Sequence, residues 1–459
     1  MLSEAVRQYL RSHRGQHLEA LCELLRIPSI ANATDDDACE RAAQWLSNRL
    51  DGLGLSARVA PAPGRPNVLA SAHVDDRKPT VLIYGHYDVQ PPDPLDEWAT
   101  GPFEPTVRDG LLYARGASDD KGQIFAHLMA VEAWQRAGGG LPVNVKMLIE
   151  GEEEIGSPHI EAFLGSCAEE LSADVVVVSD SEFFAQGLPS ITYALRGLVY
   201  FEVTVCGPRE DLHSGVHGGA VANPLNALAA MVAGMHDETG RVTIDGFYDD
   251  VRDLTAAERE AFDALPFDAD QYAASLGVAA LGGGEADCEV LERRWARPTL
   301  DCHGIVGGYA GPGAKTVLPA RASAKLSCRL VADQDPAKIV AGVKRFVAEH
   351  TPRGVTASVA VSATARPVRL ATERPAMAAA RDALHEAFAR PTAMIACGAS
   401  IPITELFQRV LGRDAILMGF GLPDDNLHAP NEKFALDQLY RGSEAAAAFL
   451  GNLAAIGHR

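Results

Sequence analysis

The first 190 residues alternate between short apolar runs and a helical pattern. The apolar runs are VLIY at 81–84, VNVKMLI at 143–149 and DVVVV at 174–178. Between the first two, KGQIFAHLMAVEAWQRAGGG at 121–140 repeats apolar residues with helical period and stops at glycines. Strands that alternate with crossover helices predict an α/β fold with a mostly parallel sheet.

The pattern changes at about residue 197. YFEVTVCG at 200–207, AKLSCRLV at 324–331 and VTASVAVSA at 355–363 alternate apolar and polar residues, as antiparallel strands with one solvated face do. After about residue 373 helical period returns around one more apolar run, DAILMGF at 414–420.

This change in pattern predicts two domains, which is also what a length of 459 residues indicates. We expect one α/β domain to be formed by residues 1–192 and 373–459. We expect residues 193–372 to form an inserted α+β domain.

Charge and composition narrow the possible partners and the compartment. The chain carries 61 Asp and Glu against 41 Lys and Arg, a formal net charge of -20, so we expect neither a nucleic-acid nor an anionic-membrane partner. Charged residues interrupt the N-terminal segment, no apolar stretch approaches the roughly 20 residues that span a bilayer, and the eight cysteines form no CxxC pair. We therefore expect a cytoplasmic protein with reduced cysteines.

Acidic residues and one histidine follow the predicted strands at their carboxyl ends. Ligands of open α/β sheets bind at this edge, so these side chains are expected to share a crevice. The set comprises His86, Asp88, Glu153, Glu154 and Asp180, joined by Asp119 at the start of the predicted crossover helix.

Each member of the set also has an ordinary structural explanation. Taken alone, His86 is a structural histidine, Asp119 a helix cap, the EGEEE run a solvated loop and Asp180 a turn residue. These explanations give no reason for all of them to coincide at strand ends, so the pattern as a whole favours a functional site.

Carboxylates in such number repel one another unless cations neutralise them. Imidazole and carboxylate ligands without cysteine suit zinc, manganese or cobalt. The spacing in His86-Tyr87-Asp88 suggests that Asp88 orients the imidazole, and of Glu153 and Glu154 one would bind metal while the other acts as general base.

Nine segments, in this order and with about this spacing, resemble the M20 metallopeptidases, most closely the carnosine dipeptidase-like branch. They are GHYDVQP, LYARGASDDKG, EGEEEIGS, VSDSE, LRGLVYFEV, DLHSGVHGG, HGIVGGY, KTVLPARA and GASIPIT. Together they cover nearly the whole chain, and as a set they are highly specific.

The resemblance implies a catalytic α/β domain with two divalent metal ions, interrupted by a lid domain that also forms a homodimer. It assigns metal binding to His86, Asp119, Glu154, Asp180 and His428, with Asp119 bridging the ions. It also implies that Glu153 is the general base and that Asp88 supports His86. Asp180 stands where deacylase and carboxypeptidase branches commonly carry glutamate, which favours a dipeptidase.

Substrate contacts are implied by the resemblance as well. His213 of one subunit would stabilise the oxyanion in the site of the other, Arg329 would hold the substrate's carboxylate, and Ser400 would line that pocket. Taken alone, these three residues are a turn histidine, a surface arginine and a helix-capping serine.

The expected activity is hydrolysis of dipeptides or short peptides with a free C-terminal carboxylate. One alternative is an amidohydrolase of the same family that acts on N-acyl or N-carbamoyl amino acids. The second alternative is a non-catalytic peptide-binding protein with this fold. Such a protein would be expected to lack some of the metal ligands or the base, whereas this chain has a suitable residue at every expected position.

Overall fold

A computed structural model describes residues 2–33 and 37–456. The helices are α1 Glu4–Ser12, α2 Arg14–Leu25, α3 Asp37–Gly52, α4 Lys121–Ala137, α5 Ile160–Ser166, α6 Ser214–His217, α7 Pro224–Gly234, α8 Ala256–Asp263, α9 Ala269–Ser275, α10 Val290–Trp295, α11 Pro336–Glu349, α12 Pro375–Phe388, α13 Pro402–Val410 and α14 Leu436–Ile456.

The strands in chain order are β1 Ser56–Ala60, β2 Asn67–Ala72, β3 Thr80–His86, β4 Thr106–Arg108, β5 Leu111–Tyr113, β6 Asn144–Glu150, β7 Val175–Val178, β8 Ser190–Leu195, β9 Gly197–Cys206, β10 Leu212–His213, β11 Thr299–Gly307, β12 Val317–Leu318, β13 Arg321–Leu330, β14 Thr356–Ala365, β15 Val368–Arg369, β16 Ala393–Cys397, β17 Ala415–Leu417 and β18 Lys433–Ala435.

The chain forms two compact units. One comprises Met1–Tyr193, Leu370–Ile395 and Pro402–Arg459, and the other comprises Ala194–Arg369 and Ala396–Ile401. The domain boundaries expected from sequence, 1–192, 193–372 and 373–459, remain a prediction. Residues 396–401, which those boundaries assign to the last segment, lie in the second unit.

The first unit is built on a mixed sheet with strand order β1-β2-β6-β3-β7-β17-β8. Its middle strands β6, β3, β7 and β17 are parallel, and β1, β2 and β8 add antiparallel edges. The parallel strands are mostly apolar and mostly buried, as expected of parallel strands that are covered on both faces. The predicted α/β class is confirmed.

Helix α4 is the crossover that the sequence predicts between β3 and β6. It packs against β3, and α14 packs against α4. Residues 121–131 are buried on every side of the helix, so α4 lies in the interior of the unit and fixes the loop that precedes it.

The second unit contains an antiparallel sheet with strand order β11-β13-β9-β14. Helices α7 and α11 cover one face, where apolar residues from the strands form the core. Strands β11 and β14 are its edges, and the middle of β11 is exposed on both faces.

In the part of the chain that the structure describes, no helix combines the length and the apolar character needed to cross a bilayer.

Candidate metal centre

The ends of the parallel strands bring the acidic residues together. His86 is the last residue of β3, and Asp180 follows β7 by two residues. Glu153 and Glu154 begin a 3-10 turn just after β6, and Asp119 lies two residues before α4 begins. Because β6, β3 and β7 are parallel neighbours, their carboxyl ends meet at one edge of the sheet.

Two groups of side chains that could hold a metal ion share one carboxylate. In His86, Asp119 and Asp180, the candidate ligand atoms all lie within 4.8 Å of one another, and the same holds for Asp119, Glu154 and His428. Asp119 belongs to both groups, and its two oxygens face different partners. Oδ1 lies 3.0 Å from His86 Nε2, and Oδ2 lies 3.0 Å from His428 Nε2.

The remaining distances complete the two groups. His428 Nε2 is 3.2 Å from Glu154 Oε2, and His86 Nε2 is 4.0 Å from Asp180 Oδ2. Gln90 Nε2 donates to Glu154 Oε2 at 2.9 Å, which holds that carboxylate in the cluster. The sequence did not single out Gln90, although it lies in the same loop as His86 and Asp88.

Asp88 contacts both His86 and the turn that carries Glu153 and Glu154. His86 Nδ1 lies 3.0 Å from the Asp88 carbonyl oxygen and 3.4 Å from the Asp88 carboxylate. The carboxylate also accepts from the backbone N–H groups of Glu153 and Glu154, at 3.2 and 3.0 Å. Asp88 thus lies against the His86 imidazole and holds the acidic turn, residues 152–154, through its side chain.

The pKa values of the cluster reflect its excess of carboxylates over basic groups. Burial, reinforced by the charge of Asp119, raises the pKa of Asp180 to about 7. Burial also raises the pKa of Glu153 well above its usual range, and the neighbouring Asp180 and Asp119 add to the shift. Hydrogen bonds with Asp119 and Glu154 raise the pKa of His428 to about 10.

This donor set fits divalent cations. Carboxylates that are buried together bind protons more readily, because protonation reduces their mutual repulsion. A divalent cation can neutralise the same negative charge. The donors are oxygen and imidazole nitrogen without thiolate, the combination that zinc, manganese and cobalt accept.

The expected substrate-binding residues lie in the second unit. His213 is the exposed N-cap of α6, and its Nδ1 accepts from Gly215 N at 3.0 Å. A neutral imidazole must then carry its proton on Nε2. Arg329, on β13, donates from Nη1 to Ser400 Oγ at 3.5 Å.

Sequence reasoning missed Arg196 in this region. Its Nε donates to the Gly398 carbonyl at 3.0 Å, two residues before Ser400. Its position directly before β9, in the LRGLVYFEV segment, was the available signal.

A second missed group lies in the first unit, behind Asp119. Arg115 and Glu432 form a buried ion pair with Nη1 and Oε2 2.7 Å apart. Asp425 accepts from Ser118 Oγ at 2.7 Å. Asp425 and Glu432 stand on either side of His428 in the sequence, and that proximity was the available signal.

A mixed α/β sheet with a carboxylate shared between two candidate ligand groups at its carboxyl edge is an arrangement that suits a metal-dependent hydrolase. A model of peptidase family M20/M25/M40 matches residues 82–452, and the chain therefore belongs to this family. The predicted resemblance is confirmed, and so is the assignment to the hydrolases.

Several characterised proteins are similar to nearly the full length of the chain. A Beta-Ala-His dipeptidase of Homo sapiens is 33% identical, with 99% of this chain and 93% of the relative covered. A Cys-Gly metallodipeptidase of Schizosaccharomyces pombe is 34% identical, with 96% of each covered.

Solved structures give the same relationship in three dimensions. The crystal structure of human carnosine dipeptidase 1 matches with a TM-score of 0.81 and 32% identity over 98% of each chain. An M20 family metallo-carboxypeptidase from Sulfolobus solfataricus matches with a TM-score of 0.85 and 35% identity, over 96% of this chain and 99% of that one.

Proposed function

We propose that this enzyme hydrolyses the amide bond of dipeptides or short peptides that carry a free C-terminal carboxylate, with two divalent metal ions per subunit. The observation that carries the proposal is the position of Asp119, whose two oxygens face separate groups of ligands. A carboxylate between two cation sites can hold two ions close together, as a dinuclear hydrolase needs.

The ligand sets follow from these two groups. His86, Asp119 and Asp180 would hold one ion, and Asp119, Glu154 and His428 would hold the other. Zinc is the first expectation, with manganese and cobalt as the other candidates. Bound ions would supply Lewis-acid polarisation of the scissile carbonyl and a lowered pKa for the attacking water.

Glu153 is the proposed general base. It is adjacent to the proposed ligand Glu154, and Asp88 holds the backbone of both residues in the turn. An oxygen of the Glu153 carboxylate would take a proton from the attacking water and return it to the leaving amine nitrogen. Its proximity to the acidic cluster is evident from the effect of Asp180 and Asp119 on its pKa.

Substrate recognition is proposed for residues of the second unit. Arg329 would pair with the C-terminal carboxylate of the substrate, with Ser400 beside it. In the described residues the Arg329 guanidinium forms a hydrogen bond with Ser400 Oγ and no ion pair, so it is available to an anionic ligand. His213 would donate from Nε2 to the developing oxyanion, in the site of a second subunit as the family resemblance implies.

A homodimer formed through the second unit is part of the proposal. Support comes from β11, an edge strand that exposes Ile305 at 47% and Val306 at 72% of their surfaces. An exposed apolar edge strand can pair with the same strand of another copy. The expected cytoplasmic location stays a prediction.

The test is a substrate panel on enzyme reloaded with zinc, manganese or cobalt. Cys-Gly and β-Ala-His are included because the relatives' names specify them. We expect turnover of dipeptides and a kcat/KM lower by roughly 10- to 100-fold for the same dipeptides with an amidated C-terminus, since a charge-assisted hydrogen bond is lost.

Two results would contradict the proposal. Faster hydrolysis of N-acetyl or N-carbamoyl amino acids than of any dipeptide would assign the enzyme to the other amidohydrolases. Binding of dipeptides without turnover under all three metals would indicate a non-catalytic peptide-binding protein.

A further inference from the structure

The buried carboxylate of Glu432 accepts hydrogen bonds from the backbone of the loop that carries Asp119. Its Oε1 accepts from the N–H groups of Ser118 and Asp119, at 2.9 and 3.0 Å. Its Oε2 accepts from Gly116 N at 2.9 Å and from Arg115 Nη1 at 2.7 Å. All four contacts are N–H donors aimed at the two oxygens, an arrangement that suits a carboxylate, which only accepts.

The carboxylate of Asp425, which precedes His428 in the sequence, also binds the loop that carries Asp119. Asp425 Oδ2 accepts from Ser118 Oγ at 2.7 Å and from Leu422 N at 2.8 Å. Asp425 and Glu432 are 1% and 0% exposed, so water does not compete for these bonds.

His428 lies on the segment between these two carboxylates. Its backbone φ is 59°, in the left-handed region that costs a non-glycine residue free energy, and Asn426 and Asn431 have φ values of 57° and 60°. A segment in this conformation persists only where its surroundings hold it, and the contacts of Asp425 and Glu432 with residues 116–119 hold both of its ends.

We propose that Glu432 is a positioning residue for the metal centre, and that Asp425 assists it. Together they clamp the loop of His428 onto the loop of Asp119, which sets the 3.0 Å approach of His428 Nε2 to Asp119 Oδ2. Neither carboxylate touches a metal ion or substrate in this role. The inference rests on the proposed two-ion site.

Arg115 has a supporting part in this clamp. Its guanidinium compensates the charge of Glu432, and Nη2 donates to the Pro91 carbonyl at 3.3 Å. Pro91 lies next to Gln90, which binds Glu154. The ion pair therefore connects the loops of Asp119 and His428 with the loop of Gln90, whose side chain in turn binds Glu154.

The test compares Glu432→Gln with Glu444→Gln. Gln keeps the size of the side chain but turns one acceptor into a donor that faces other donors. Glu444 is the matched control, because it is also a buried carboxylate of the first unit, held by Arg11 through two hydrogen bonds of 2.9 and 3.1 Å.

The readouts are the dissociation constants of Zn²⁺, by chelator competition, and the visible absorption spectrum of the Co²⁺-loaded protein. For Glu432→Gln we expect the more weakly bound ion to lose about 10- to 100-fold in affinity, as substitutions behind metal ligands do, and the Co²⁺ spectrum to change. Glu444→Gln should keep the wild-type constants and spectrum.

A second pair of variants applies if Glu432→Gln does not fold. Ser118→Ala removes the bond to Asp425 without adding a donor, and Ser443→Ala is its control, a buried serine of α14 that donates to the Tyr440 carbonyl. We expect Ser118→Ala to weaken one ion towards the lower end of the same range of about 10- to 100-fold.

The inference is overturned if Glu432→Gln or, failing that, Ser118→Ala keeps the wild-type affinities and spectrum, or if the control loses as much as its partner. It is also overturned if the wild-type enzyme binds no divalent ion. If the wild type binds two ions but hydrolyses no peptide, the proposed function fails and the positioning role is still decided by the variants.

Discussion

Three consecutive glutamates in the acidic turn have three different environments. Glu152 lies 2.7 Å from His159 Nδ1, and Glu154 lies 3.2 Å from His428 Nε2. Glu153 is the one whose pKa burial raises well above its usual range, in the field of the acidic cluster. Neighbouring residues of the same type are therefore expected to differ sharply in their effects on catalysis.

Replacing Glu153 by Gln should lower kcat by about 10²- to 10⁴-fold, the usual contribution of a general base, and leave the metal content unchanged. Steady-state kinetics on a dipeptide and metal analysis after dialysis measure the two quantities. Glu152→Gln is the matched control and should keep kcat within a few fold. A Glu153→Gln enzyme with wild-type kcat would remove the base assignment.

His127 provides a test of acid sensitivity at a residue that is not itself a proposed ligand. Burial on α4 lowers the pKa of its imidazole to about 4, and Nε2 lies 2.6 Å from Ser179 Oγ. The unfolded chain, with a histidine pKa near 6.5, binds more protons than the folded chain between these values. The contribution of His127 is therefore complete above about pH 6.5 and is lost as the pH falls towards 4.

His127→Gln should remove this part of the pH dependence. Between pH 7 and 4 the wild type should lose up to about 3 kcal/mol more unfolding free energy than the variant, as measured by urea denaturation. Replacement of the exposed His385 by Gln should leave the dependence as in the wild type. Parallel curves for His127→Gln and the wild type would contradict the expectation.

At the scale of elements, strands and helices form largely where local patterns predict them. The helical pattern at 121–140 corresponds to α4, Lys121–Ala137, and the apolar runs at 81–84, 143–149 and 174–178 lie in β3, β6 and β7. The predicted parallel sheet has antiparallel edges as well, with β1 and β2 at one end of the strand order and β8 at the other. The periodicity of apolar residues predicts the type of an element and which of its faces is buried, but it carries little information on which strands pair with each other.

The edge strand β11 provides the test of assembly. Val306→Asp places a charge on its exposed apolar surface, and a charge buried in an interface is costly, so the proposed dimer should dissociate. Light scattering after size-exclusion chromatography measures the mass at several concentrations.

Val361→Asp is the matched control for this substitution. Val361 is 38% exposed on β14, the opposite edge of the same sheet, and its substitution should leave the dimer intact. A wild-type protein that elutes as a monomer, or equal effects of the two substitutions, would reject β11 as the interface.

At the scale of the whole molecule, the chain has a formal net charge of -20, and several of its acidic residues lie together at the candidate metal centre. Chelation should abolish activity and lower the melting temperature, because ions that bind the folded state alone stabilise it by about 2.7 kcal/mol at 100 times their dissociation constant. Differential scanning fluorimetry and peptide assays before and after reloading with zinc, manganese or cobalt measure both effects. A metal-free protein, verified by elemental analysis, that keeps its activity and melting temperature would exclude a metal-dependent enzyme.

The amino-acid sequence by itself determined the α/β class, the inserted antiparallel region and the family. These depend on local periodicity and on motifs whose residues are close in sequence, such as His86 and Asp88 or Glu153 and Glu154. It also placed acidic residues at strand ends, from which a metal site could be predicted.

Only the tertiary structure decided which of these groups contact one another. Asp119 and His428 are 309 residues apart, and their 3.0 Å approach depends on how the loops before α4 and β18 pack together. The same packing brings Glu432 beneath the Asp119 loop, and it brings the Asp88 carboxylate to the acidic turn as well as to His86. Local patterns specify which side of an element is buried, whereas contacts between distant loops are set by the packing of the whole unit.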